Sequence, residues 1–307
     1  MQRFDHRFVA MGGPCRFRID HADWVAAESA IAAGEAEVRR LEQRYSRYLD
    51  GSLVSQVNER AGSGVHTEID PETAGLLNYA DTLYRESEGL FDLTSGILRR
   101  AWDFKSGTIP TEDQLQELLP LIDWESVEWN ESSVYLPRAG MEIDFGGYVK
   151  EYACDSVAKA LTEAGIENAL VDLAGDMAAL GKQADGRPWD IGIRHPHKRM
   201  RAVARVELRS ASLASSGDYE RCLEIDGQRY GHILNPQTGW PVQGLVAVSV
   251  VAEQCLVAGS TATIAMLKPA AEALEWLGEL GLPWLGIDAE LNCHGTIAGG
   301  YTGKKRE

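Results

Sequence analysis

The chain has 307 residues and carries 30 Lys plus Arg against 46 Asp plus Glu, a formal net charge of −16. That balance argues against nucleic acid, which needs a basic face to neutralise phosphates, and against docking on anionic lipid. At 44% hydrophobic and 25% charged residues the composition is globular, neither disordered nor fibrous. Any site for an anionic ligand must therefore be built locally, against the long-range field of the protein.

In chain order, the opening MQRFDHRFVAMGGPCRFRID has no apolar signal core, and no run of about 20 apolar residues follows anywhere, so a cytoplasmic protein is expected. The five cysteines (Cys15, Cys154, Cys222, Cys255, Cys293) form no CxxC pair and suggest neither a zinc cage nor a disulfide framework. Residues 23–45 place Val38, Leu41 and Tyr45 at helix spacing. Residues 71–88 carry a stripe of Leu76, Leu77, Ala80, Leu83 and Tyr84, with Gly89 as a stop. Thr111 is placed to cap a short helix bearing Leu115, Leu118 and Leu119. Strands are expected at 126–129, 133–136 and 141–145. The last leads through Gly146 and Gly147 into a helix with Ala153, Val157 and Leu161 inward, closed by Gly165. Further strands are expected at 169–173, 189–193, 202–208, 221–225, 229–234, 245–251 and 284–287, with helices at 258–267 and 269–279. Helices mixed with antiparallel-looking strands give an α+β fold, and with no Pro-, Gly- or Ser-rich linker a single domain over 1–307 is expected.

Four turns gather glycine with polar residues where periodicity breaks. Met11-Gly12-Gly13 follows a strand and lets backbone amides approach a ligand, or is an ordinary turn. In Asp144-Phe145-Gly146-Gly147-Tyr148-Val149-Lys150 a carboxylate, exposed main chain and a lysine meet a helix start. This is a local anion site or tight packing with a solvated lysine, and neither a P-loop nor a Rossmann fingerprint. Asp172-Leu173-Ala174-Gly175-Asp176 offers acids to hydroxyls or a cation, or is an Asp-rich turn. Ser215-Ser216-Gly217-Asp218-Tyr219, followed by His232-Ile233-Leu234-Asn235-Pro236-Gln237-Thr238-Gly239-Trp240-Pro241, sets a histidine on a strand beside a rigid turn. That histidine either moves protons near neutral pH or is structural.

Taken in this order the turns resemble the ApbE family, the FAD:protein FMN transferases. The resemblance also rests on Tyr45-Ser46-Arg47-Tyr48, Phe91-Asp92-Leu93-Thr94-Ser95-Gly96 and Trp102-Asp103-Phe104. It implies a single ApbE-like, T-fold-like unit of helices and antiparallel sheets. It further implies Mg²⁺-assisted cleavage of FAD and attachment of FMN through a phosphoester to a Thr or Ser of a partner protein. Met11, Tyr48, Leu90, Phe91, Asp92, Asp144, Lys150 and Ile233 would line the FAD site. The Gly147 carbonyl and Thr263 would hold the metal, and His232 would act at the pyrophosphate.

Four positions depart from the family pattern. Gly13 stands for a Thr, Ala174 for a Gly, Glu151 for a Gly, and Gly259 for the metal-binding Asp four residues before Thr263. Restoring that Asp by Gly259→Asp is expected to strengthen Mg²⁺ dependence. Two alternatives share the resemblance: a protein that binds FAD without transferring FMN, and an Mg²⁺-dependent FAD pyrophosphatase releasing FMN and AMP.

Overall fold

The computed structural model describes residues 1–104, 107–218, 222–225 and 228–299. The chain forms two compact units. One comprises Met1–Glu42, Tyr148–Gly217 and Gly244–Glu307, the other Gln43–Gly147 and Asp218–Gln243.

The first unit is built on an eight-stranded antiparallel sheet whose strands lie side by side in chain order. They are β1 (Gln2–Ala10), β2 (Gly13–His21), β3 (Ala169–Leu173), β4 (Asp176–Leu180), β5 (Ser212–Gly217), β6 (Ala247–Ala252), β7 (Trp284–Ile287) and β8 (Cys293–His294). β1 alternates between half-buried and exposed residues and β2 between buried and half-buried ones, the mark of a sheet edge with one wet face. β6 is buried along its whole length, as a central strand should be. A two-residue turn joins β1 to β2, with Met11 at φ +50° and Gly12 at φ +74°, the backbone that matches strand twist in tight hairpins.

Four helices accompany the sheet: α1 (Trp24–Tyr45), which runs on into the second unit, α2 (Val149–Glu163), α3 (Cys255–Leu267) and α4 (Ala270–Glu279). α2 buries Ala153, Cys154, Val157 and Leu161 completely. It ends at Gly165, φ +81°, where the amides of Gly165 and Ile166 turn back onto Thr162 and Leu161. α3 is apolar nearly all round because β5, β6 and α2 enclose it. Its Gln254 cap makes no side-chain bond. Asp155 of α2 accepts instead from the amides of Cys255 (2.7 Å) and Leu256 (2.9 Å), so one helix caps the next. Trp189–His195 and Lys198–Leu208 pair as a separate hairpin.

In the second unit, helix Pro71–Glu86 starts with Asp70 as cap and proline at its first position, and helix Glu112–Leu118 carries the capping box of Thr111 and Gln114. A 3₁₀ helix, Leu93–Arg100, is capped by Asp92. Leu98, Trp102 and Leu115 form a core with Phe104, Tyr230, Leu234 and Trp240, and the Trp102 indole donates to the Gly239 carbonyl at 2.7 Å.

Two expectations are corrected here. The strand expected at 141–145 does not form: residues 141–144 are in no strand and Phe145 opens a 3₁₀ turn, Phe145–Gly147. The Asn58 amide bonds both main-chain groups of Ile143 (3.1 and 2.8 Å) and the Asp144 amide donates to the Leu93 carbonyl, so the extended segment is satisfied without a ladder. The strand expected at 229–234 is Gln228–Gly231, so His232 lies beyond its end, in the bend before the Asn235 turn. Strands β4 and β5 were not expected. Their apolar stretches are short: β4 follows the Ala174-Gly175 turn and β5 runs into Ser215-Ser216-Gly217, and both read as loops. Tyr219 and Arg221 lie outside the described residues.

Candidate functional site

In the first unit, Lys150 sits in the first turn of α2 and pairs with Asp176, the opening residue of β4. Asp176 is almost wholly buried and its other oxygen accepts from the Ser215 amide at 3.2 Å. The lysine is thus fixed, half-buried, with its ammonium neutralising a carboxylate that could not remain charged alone. Asp172, across the β3–β4 turn, accepts from the Gly175 amide at 2.9 Å, and burial pushes its carboxyl above the ordinary range. Met11, half-buried, donates its amide to Glu42.

On α3, Thr263 shares a hydrogen bond with Ser216 of β5 at 2.9 Å, and Ser215 with Ser249 of β6 at 2.7 Å. Gly259 lies one turn before Thr263, fully buried against α2. A Cβ at 259 would stand 2.4 Å from Glu151 Cγ. Gly259→Asp alone would therefore force the Glu151 side chain to move.

The second departure has the same form. A Cβ at Gly13 would stand 2.6 Å from the Cβ of Ala174, which itself holds φ +54°. Gly13 and Ala174 are neighbours, as are Glu151 and Gly259. In each pair one residue has lost a side chain that the resemblance expects and the other has gained one.

In the second unit, Arg47 ties Tyr48 and Asp144 together. Its guanidinium pairs with Asp144 (2.5 Å), donates to the Tyr48 hydroxyl (2.9 Å) and stacks over that ring, 5.0 Å from its centroid. Tyr48 is 74% exposed, a large aromatic surface open to a ligand. The other Asp144 oxygen accepts from the Gly146 amide at 2.9 Å. Gly96 must lack a side chain, since its Cβ would meet Asp144 Cβ at 2.5 Å. Phe91 is buried, with its ring against Gly147, and Leu90 beside it is half-buried.

Asp92 accepts from the amide and hydroxyl of Thr94 (2.7 and 2.5 Å) and from the Trp124 amide (3.4 Å), while burial raises its carboxyl above the ordinary range. It shapes the loop that carries Leu90 and Phe91. His232 and Ile233 lead into the rigid Asn235 turn, whose side chain accepts from the amides of Gln237 and Thr238. Arg47 and Asp176 belong to quoted motifs, yet nothing in the sequence marks them as the charge partners of Asp144 and Lys150.

Among the described residues no group of three or more His, Cys, Asp or Glu is arranged to hold a metal ion. Hard oxygen donors are nonetheless present beside Gly259: the Thr263 hydroxyl, and Glu151 Oε2, which is buried without a hydrogen-bond partner. That chemistry suits Mg²⁺.

The architecture is that of solved ApbE proteins. An ApbE protein of Thermotoga maritima superposes with a TM-score of 0.87 at 26% identity, covering 96% of this chain and 97% of that one. The Pseudomonas stutzeri flavinyl transferase ApbE, in its apo form, gives 0.86 at 26% identity over 97% and 95%. The ApbE family model matches residues 11–284, and the chain belongs to that family. Among curated relatives, the FAD:protein FMN transferase of Treponema pallidum is 32% identical over 286 residues, 86% of this chain and 78% of that protein. That of Haemophilus influenzae is 30% identical over 252 residues, 78% and 73%. The α+β class and the family expectation both stand. Among the described residues no helix is long and apolar enough to cross a membrane.

Proposed function

We propose that this chain is an FAD:protein FMN transferase, with residues 1–307 acting as one domain in the cytoplasm. The observation that carries the reading is Lys150, held by buried Asp176 at the start of α2 in a protein of net charge −16. A helix N-terminus with a fixed ammonium is a local anion site, where the pyrophosphate of FAD would be received. Relatives named for this activity are 28–32% identical to the chain over the aligned residues.

In this reading Tyr48, Leu90, Phe91 and Ile233 receive the flavin and adenosine surfaces. Met11 and Asp144 bind polar groups, and Asp92 keeps the Phe91 loop in shape. The acceptor is a Thr or Ser hydroxyl of a partner protein. Its oxygen attacks the FMN-side phosphorus and the P–O bond to the bridging oxygen breaks. AMP leaves with that oxygen, and the hydroxyl proton is released. His232 takes the proton or stabilises the developing charge. Mg²⁺, with the Gly147 carbonyl and Thr263 hydroxyl as proposed ligands, would offset charge on the phosphates.

Incubating the purified protein with FAD, Mg²⁺ and an acceptor should yield AMP together with an FMN mass increase on the acceptor. AMP with free FMN would instead identify a pyrophosphatase, and FAD retained intact a binding protein. Failure to bind FAD at micromolar concentration would end the flavin reading.

A further inference from the structure

The side chain of Glu151 fills the space that residue 259 leaves. A Cβ on Gly259 would lie 2.4 Å from Glu151 Cγ and 2.9 Å from both Cδ and Oε1. The carboxylate therefore stands where a longer side chain on α3 would have put one. The Glu151 side chain is only 9% exposed, and its Oε2 is buried with no hydrogen-bond partner. A buried carboxylate oxygen without a donor carries the full penalty of its lost hydration, so a group that completes it is expected. Lys150 does not do so. Its ammonium is committed to Asp176 and comes only to 4.0 Å of the other oxygen, Oε1.

Thr263 lies one turn beyond Gly259 on the same face of α3. Ser216 orients the Thr263 hydroxyl from β5. One carboxylate oxygen and one fixed hydroxyl oxygen are the donors a small hard cation prefers.

We propose that Glu151 supplies the protein's carboxylate ligand to the divalent cation, from α2 into the space beside Gly259 of α3. This inference rests on the proposed function for the presence of a cation, and goes beyond it in naming the ligand.

The test titrates Mn²⁺, alone, into the full chain and reads free Mn²⁺ by electron paramagnetic resonance. Glu151→Gln should weaken Mn²⁺ binding by at least about tenfold with the circular dichroism spectrum and melting midpoint preserved. Glu151→Gly should weaken it similarly, and Glu151→Gly/Gly259→Asp should bring it back to within a few-fold of the parent. Mn²⁺ binding by Glu151→Gln equal to that of the parent overturns the proposal, as does a folded Glu151→Gly/Gly259→Asp variant that binds no better than Glu151→Gly. The FMN mass increase on an acceptor, measured on the parent with FAD, reports the transferase reading separately. If Mn²⁺ binding depends on Glu151 and no acceptor is flavinylated, the transferase reading fails alone. If the acceptor is flavinylated and Mn²⁺ binding ignores Glu151, the ligand assignment fails alone.

Discussion

The neighbourhood of Lys150 in the first unit and that of Arg47 in the second solve one problem, holding a charge at a glycine turn, in different ways. Each carboxylate also accepts one backbone amide, Ser215 at Asp176 and Gly146 at Asp144. Asp176, however, is almost fully buried, whereas the Asp144 side chain is 20% exposed. Water can therefore replace the arginine at Asp144 but not the lysine at Asp176. The departures from the family pattern also differ. All four are in the first unit, and they fall in two pairs in which a Cβ added at the glycine would stand under 3 Å from its counterpart. Where packing is tight, a change at one position forces a change at its neighbour.

The largest effect that would break this comparison is on Lys150. Lys150→Met leaves Asp176 as a buried, uncompensated charge and should cost about 3 kcal/mol of stability in denaturant unfolding. Lys150→Met/Asp176→Asn should recover most of that loss, whereas Arg47→Met should cost no more than about 1 kcal/mol. Equal losses for the two single cation removals would erase the distinction.

Asn58→Ala comes next. It strips both main-chain partners from Ile143 and should cost about 2 kcal/mol, read from the same unfolding curves. Gly13→Thr should lower stability by about 1–2 kcal/mol because its Cβ meets that of Ala174, and Gly13→Thr/Ala174→Gly should restore it. Additive losses in the double variant would mean the two positions are independent.

The smallest effect concerns pH. Burial holds the Asp172 carboxyl above its ordinary 3.8, so the folded state binds its proton more tightly than the unfolded chain does. Its favourable contribution is complete below 3.8 and is lost as pH rises through the elevated folded value. Asp172→Asn, which retains an acceptor for the Gly175 amide, should therefore raise the melting midpoint at pH 7. That gain should shrink as the pH is taken down toward 4. A gain that grows in acid would contradict the burial of this carboxyl.

Much of the fold is legible in local spacing. The stripe on 71–86, the Thr111 cap and the Gly165 stop are each written in a few adjacent residues, and the structure places them as spacing predicts. Residues 141–144 mislead because an extended run looks like a strand whether a neighbouring strand or the Asn58 side chain satisfies its backbone. Candidate ligands for FAD are legible only as an ordered set of weak turns. The pairing of Glu151 with Gly259 is not legible at all. The two residues are far apart in sequence, and neither alone points to the other.

Asp155 gives that pairing its geometry. Asp155 meets residues 255 and 256 while Glu151 meets 259, so a step of four forward along α2 matches a step of about four backward along α3. The helices run as opposed ladders with a shared rung at 151 and 259, so the space there holds one acidic side chain. Glu151→Gly empties that rung without touching the bonds Asp155 makes to residues 255 and 256, and should give a stably folded protein.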